Sequence, residues 1–329
     1  MIRKVRKAAV IGSGIMGGGI AALLAAAGVK VLLLDIVPFD LKDEEKNNPE
    51  ARNRIVKAGL DAALAASPAI FYTKKDAGLI SIGNLEDDID KLAECDWIVE
   101  VVVENLKIKQ ELFAKIEKVR KPGSIITSNT SGIPLKDISQ NFSTEMKQHF
   151  MGTHFFNPVR YMHLLELIEG PDTLPEIMDF IAEFGEKNLG KGIVWAKDTP
   201  NFVGNRIGIQ GIGAIFKFMA EAKLTIPEVD TIFGPALGRP KTAIFKLVDL
   251  VGLDTIINVC RNSYEMCVDD EQRDVLILPE YIKKMDENKW YGNKTQGGFY
   301  KTELTPEWKK LRKVLNLDTM EYEDLVRAS

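Results

Sequence analysis

Cysteine and histidine are scarce in this 329-residue chain, with only three of each. Cys95, Cys260 and Cys267 form no C-x-x-C or comparable ligand spacing and are odd in number, so no metal site is expected and they read as thiols of a cytoplasmic protein. Positive charge is not in excess either. Lys and Arg number 43 against 47 Asp and Glu, a net charge of −4, which leaves no bulk field for a nucleic acid backbone. Runs of about 18 uncharged apolar residues, the length of a membrane span, are missing too. Basic Met1 to Lys7 followed by apolar Ala8 to Ala27 has the outline of a secretory leader. Gly12, Gly14, Gly17, Gly18 and Gly19 crowd its centre and argue against one.

What the chain does have is an apolar fraction of 45%, enough to give two domains a core each. In the first half, short β-branched or aliphatic runs alternate with longer amphipathic stretches, which predicts βαβ units and a mainly parallel sheet. The predicted strands are Lys7–Ile11, Lys30–Leu34, Trp97–Val102, Ser124–Ser128, His149–Phe155 and Gly192–Ala196. Between the second and third lies Val37–Asp76, read as one or two helices projecting from the sheet. Lys197-Asp198-Thr199-Pro200 reads as a helix start, with Asp or Thr as cap and proline in the first turn. That places a domain boundary at 197/198. The helical spacing of Val203, Ile207, Ile212, Ile215 and Met219 then predicts an all-helical second domain over 198–301. Residues 302–329 read as a polar tail, or as the start of a downstream domain that this chain lacks.

Gly12-Ser13-Gly14-Ile15-Met16-Gly17 sets G-x-G-x-x-G between a predicted strand and a predicted helix, and Asp35 closes the next strand. In a doubly wound, Rossmann-type fold these glycines make a tight turn, a close approach for pyrophosphate and close helix packing, while the helix N-terminus meets the phosphate charge. Asp35 would accept from the ribose hydroxyls and repel a 2′-phosphate, which favours NAD over NADP. The chemistry must come from elsewhere. His154 ends a predicted strand in Gly152-Thr153-His154-Phe155-Phe156-Asn157-Pro158, and Glu166 lies as far beyond Arg160 as His154 lies before it. A chain folding back there brings the two face to face, as a general base and its orienting carboxylate or as a satisfied strand-end histidine beside a solvated acid. Ser128-Asn129-Thr130-Ser131 and Asn205-Arg206 supply short polar groups to a cleft, or serve as caps.

Taken together these motifs resemble the L-3-hydroxyacyl-CoA dehydrogenases up to about Lys301. The resemblance also rests on Val99-Glu100-Val101-Val102-Val103-Glu104-Asn105-Leu106, Val251-Gly252-Leu253-Asp254 and Lys294-Thr295-Gln296-Gly297-Gly298-Phe299-Tyr300. It implies His154 as base with Glu166 as its partner, Ser131 and Asn205 as groups on the substrate oxygens, and Asn157 near the nicotinamide. Cofactor contacts are implied for Asp35, Glu104, Lys109, Ser131 and Lys294. Without the family, Glu104 and Lys109 read as a solvated pair at a helix start, and Lys294 as a surface lysine. The implied activity is oxidation of an L-3-hydroxyacyl-CoA in fatty-acid β-oxidation. Rival readings are a dehydrogenase of a free hydroxy acid or sugar acid, and a non-catalytic nucleotide-binding module.

Departures are Gly132 after Ser131 and a divergent Val37–Asp76 arm carrying Pro38, Pro49 and Pro68, from which no CoA contact is transferred. Leu34-Asp35-Ile36-Val37-Pro38 and Arg239-Pro240-Lys241 resemble the dehydrogenase portion of long bacterial fatty-acid oxidation proteins. A fragment of such a protein is therefore expected, either as a homodimer or packing on the domains it lacks.

Overall fold

In a computed structural model of the chain, residues 4–304 and 308–326 are described. The basic start of the supposed leader, and residues 305–307 and 327–329 of the supposed tail, lie partly or wholly outside them. The chain divides into two compact units, Met1–Phe202 and Val203–Ser329.

In the first unit, eight strands form one sheet among the described residues. They are β1 (Lys7–Ile11), β2 (Lys30–Asp35), β3 (Ile80–Asn84), β4 (Trp97–Glu100), β5 (Ile125–Ser128), β6 (Phe150–Phe155), β7 (Leu164–Glu169) and β8 (Gly192–Ala196), in the order 3-2-1-4-5-6-7-8. Every neighbouring pair is parallel except β6 and β7, which are antiparallel. Central strands such as Ala8-Ala9-Val10-Ile11 are fully buried, which is why they are apolar without alternation. The helix α1 (Ile15–Ala26) packs on this surface through Ile20, Leu23 and Leu24.

Two strands escape the sequence pattern. β3 is an edge strand whose run is broken by Ser81 and Gly83, and β7 carries Glu166 in the middle of its apolar run. The predicted helix start at Asp198 is also displaced. Asp198 accepts the backbone amides of Leu135 and Lys136 at 2.9 and 3.1 Å, so it caps the helix Leu135–Ile138 and not its own segment. The long helix begins at Gly204, after Asn201 and Phe202 have taken positive φ angles of 60° and 48°. Its buried face accordingly runs through Ile209, Ile212, Phe216 and Met219, and Ile207 is exposed.

The second unit is helical, with Phe216, Phe245 and Phe299 clustered in its core. The supposed tail is part of it. Strands β9 (Tyr300–Leu304), β10 (Lys310–Asn316) and β11 (Glu321–Asp324) form an antiparallel meander, and Val314 and Leu315 are buried among the helices. Only these two positions of β10 are apolar and buried, too few for a legible alternation.

Asp249 fastens the start of β9, accepting the amides of Phe299 and Tyr300 at 2.8 Å each. Burial pushes its carboxyl up to about 6, against the bonds to those amides, which hold it down. Because the folded state binds this proton more tightly than the unfolded chain, the group's adverse contribution is absent below about pH 4 and grows as pH rises to 6, reaching about 3 kcal/mol. Urea unfolding of wild type and Asp249→Asn should diverge accordingly, wild type losing stability relative to the variant between pH 4 and 6.5. A constant difference over that range would refute the assignment.

Candidate active site

The strands β1, β4, β5 and β6 are adjacent and parallel, so the loops that follow them share one edge of the sheet, where ligand crevices of open α/β sheets lie. At β1 the chain turns through Gly12, whose φ of +105° and whose approach to Val101 O, 2.5 Å from where a Cβ would stand, exclude any side chain. A Cβ on Gly17 would lie 1.8 Å from Gly12 O, whereas above Gly14 there is nothing within 4 Å. The loop is thus closed toward the helix and open outward. The α1 terminus has no side-chain cap and no acid in its first turn, so its amides are available to an anion. Met16 packs against the core, and Ile15 stands 71% exposed at the mouth.

Asp35 at the end of β2 is held by the loop itself. Its Oδ2 accepts Ser13 N and Ser13 Oγ at 2.6 and 2.5 Å, and Oδ1 accepts Ile36 N at 2.7 Å. Two carboxylate oxygens offer about four acceptor sites, so the orientation is fixed with capacity left for a ribose hydroxyl. An uncapped helix start, an open Gly14 and an oriented acid fit a dinucleotide.

At the β4 and β5 ends the structure departs from the reading of Glu104 and Lys109 as a solvated pair. Lys109 is 1% exposed, so the pair is not solvated. Its Nζ donates to Glu100 Oε1 at 2.7 Å and Val102 O at 3.4 Å and lies 3.4 Å from Glu104 Oε2. These three partners match the three donors of an ammonium. Glu100, itself fully buried, also accepts Ser128 Oγ at 2.5 Å and Val102 N at 2.7 Å. Glu104 Oε1 accepts Thr130 Oγ1, Ser131 N and Gly132 N at 2.6, 3.0 and 3.0 Å. Burial pushes the Glu104 carboxyl up, but Lys109 and these donors outweigh it and hold the group below the usual carboxylate range. The cluster ties the loops after β4 and β5 together and leaves the Ser131 hydroxyl without a partner among the described residues.

His154 and Glu166 are directly opposed in the β6–β7 ladder. His154 Nδ1 lies 2.6 Å from Glu166 Oε2, with the histidine 5% exposed and the acid fully buried. Phe156 and Phe202 flank the imidazole, with centroids 4.5 and 5.6 Å away. Nε2 has no hydrogen-bond partner among the described residues. Strand pairing, together with Asn129 Oδ1 accepting Phe155 N at 2.9 Å, fixes the backbone on which the ring sits. Asn157, two residues on from Phe155, is exposed.

Two family models match the chain: 3-hydroxyacyl-CoA dehydrogenase, NAD binding domain, over residues 7–199, and 3-hydroxyacyl-CoA dehydrogenase, C-terminal domain, over residues 202–302. The chain belongs to the 3-hydroxyacyl-CoA dehydrogenase family. It is 46% identical, over 91% of its length, to a probable 3-hydroxyacyl-CoA dehydrogenase of Deinococcus radiodurans, 83% of which it covers. A Bacillus subtilis protein of the same description is 48% identical over 92% of this chain, but the chain spans only 39% of that relative. A crystal structure of (S)-3-hydroxybutyryl-CoA dehydrogenase from Ralstonia eutropha, 27% identical, matches with a TM-score of 0.72 over 90% of this chain and 98% of that one. No helix among the described residues is long and apolar enough to cross a membrane.

The first unit of this dehydrogenase family member is therefore its NAD-binding domain, and NAD is the cofactor. Asn205 and Lys294 belong to the second unit. Asn205 lies in the first turn of the helix Gly204–Ala222, and Lys294 is ion-paired with Asp254 while 45% exposed. The residue that sequence reasoning left without a role is Glu100, whereas Ser128, Asn129 and Thr130 were read only as short polar groups toward a cleft or as caps. Glu100 carried the one usable signal, an acid at the end of an otherwise apolar buried strand, where an ionised side chain needs a partner.

Proposed function

We propose that this chain oxidises the 3-hydroxyl of an L-3-hydroxyacyl-CoA to the 3-keto thioester, in the degradative direction of fatty-acid metabolism, with His154 as general base and Glu166 as its orienter. The observation that carries this reading is the 2.6 Å contact of His154 Nδ1 with a buried acid while the opposite ring nitrogen is left open. Bound NAD would supply the hydride acceptor. Glu166 accepts the Nδ1 proton, which selects the tautomer with a lone pair on Nε2 and stabilises the imidazolium once Nε2 has taken the hydroxyl proton. Phe156 and Phe202 keep bulk water off the ring face. The unpartnered Ser131 hydroxyl would hold the substrate oxygen, with Asn205 in the same role by resemblance. Asn157 would border the nicotinamide. Asp35 meets the ribose hydroxyls, Glu104 and Lys109 would contact the cofactor by resemblance, and Glu104 also holds the Thr130–Gly132 loop in place.

Assays of NADH oxidation test the substrate and the cofactor together. Acetoacetyl-CoA should be reduced and free acetoacetate should not, and NADPH should be a poor replacement for NADH because Asp35 repels a 2′-phosphate. Equal rates on acetoacetate, or NADPH preferred, would overturn this reading.

A further inference from the structure

His154 stands just past the end of the main-chain pairing between β5 and β6. That ladder closes with Ser128 opposite Gly152, whereas on its other side β6 stays paired with β7 as far as Phe155 opposite Leu165. Two side-chain bonds take over on the β5 side, one on each flank of the histidine. Before it, Thr153 Oγ1 donates to Thr127 Oγ1 at 2.8 Å, with both threonines fully buried and Trp97 Nε1 donating to the same oxygen at 3.0 Å. After it, the Phe155 amide donates to Asn129 Oδ1 at 2.9 Å. Asn129 is anchored in turn, its own amide donating to Glu100 O at 2.8 Å.

A backbone amide can only donate, so the Asn129 atom facing Phe155 N is the carbonyl oxygen, and the orientation of the side chain follows. We propose that Asn129 is a positioning residue for His154, whose Oδ1 holds the Phe155 amide and so fixes the direction in which the imidazole leaves β6. Without that acceptor the end of β6 would be tied by main-chain bonds on the β7 side alone. Phe155 is 1% exposed, so its released amide would be left without a partner, and a shift of the strand end is the way to relieve that cost. Asn129 Nδ2, which has no partner among the described residues, takes no part in this role. The inference rests on the reading of His154 as the base and concerns only how that base is aimed.

Asn129→Ala removes the acceptor, and Asn129→Asp keeps it while discarding both amide donors, so the pair separates a role through Phe155 from a bond made by Nδ2 to a ligand. In Asn129→Ala, kcat for acetoacetyl-CoA reduction, taken at the plateau of the pH profile, should fall at least about tenfold, within the roughly 100-fold that a misplacement of about 1 Å can cost. KM should stay within about threefold and the NADH dissociation constant within about twofold, the pattern of a group that acts only in the transition state. Asn129→Asp should keep kcat within about threefold of wild type, because Phe155 N retains an acceptor. Amide hydrogen exchange at Phe155 should quicken in Asn129→Ala and not in Asn129→Asp, while β1 and β4 stay slow in both, which establishes that the variants are folded. Unchanged kcat in Asn129→Ala would overturn the inference, as would unchanged exchange at Phe155. Equal losses in the two variants, or weakened KM or NADH binding at constant kcat, would also overturn it by placing the role on Nδ2. Should Asn129→Ala not fold, Asn129→Asp decides alone, a loss of about tenfold or more in kcat counting against the proposal. If wild type fails to reduce acetoacetyl-CoA, the functional reading falls, and exchange at Phe155 still decides whether Asn129 holds the end of β6.

Discussion

His154→Ala is expected to lower kcat for acetoacetyl-CoA reduction by at least about 100-fold, the low end of what general acid–base catalysis supplies. NADH binding should persist, because the loop Gly12–Gly17 and Asp35 make no bond to the histidine. Truncation also deprives the buried Glu166 of its contact with the imidazole, so a drop in activity alone is ambiguous. His154→Gln resolves this, since its amide still offers Glu166 a donor but has no basic nitrogen. Both variants should bind NADH and lose turnover alike. If His154→Gln retains turnover within tenfold of wild type, the imidazole is not the base.

The second large effect concerns stability. Lys109 and Glu100 form an ion pair whose side chains are 1% and 0% exposed. Removing one partner of such a pair strands a buried charge and costs about 3–5 kcal/mol, whereas removing both is much milder. Lys109→Met should therefore unfold at markedly lower urea concentration than wild type, and Lys109→Met combined with Glu100→Gln should recover much of the loss. NADH binding should weaken in the single variant beyond what unfolding explains, because Glu104 loses the cation beside it and holds the Thr130–Gly132 loop less firmly. A single variant within about 1 kcal/mol of wild type would show that the pair is not the tie between the β4 and β5 loops.

Local rules made some of these features legible and could not reach others. The glycine loop was readable because each glycine answers a demand set within a few residues, and the structure places a backbone oxygen or open space where each demand predicts. His154 and Glu166 could be paired on paper because an antiparallel return sets partners symmetrically about its turn, and they are opposed in the ladder. By contrast, Lys109 faces Glu100 across a strand end, a loop and a helix start, a contact that no single periodicity encodes. Asp198 misled for a related reason. An acid before a proline is a helix start in isolation, but here it caps a helix more than sixty residues earlier in the chain. The meander β9–β11 was hidden because Val314 and Leu315 alone commit β10 to the core. Helical periodicity after Pro200 gave the right element type, but Ile207 stands about 140° around the helix from Ile212 and is exposed.

The most direct test of the central claim is a crystal structure of this chain with NAD and acetoacetyl-CoA. The account predicts the 3-oxygen of the thioester within about 3 Å of His154 Nε2, with Nδ1 still on Glu166. An imidazole turned into the phenylalanine side chains, or a thioester seated away from the β6 end, would contradict it.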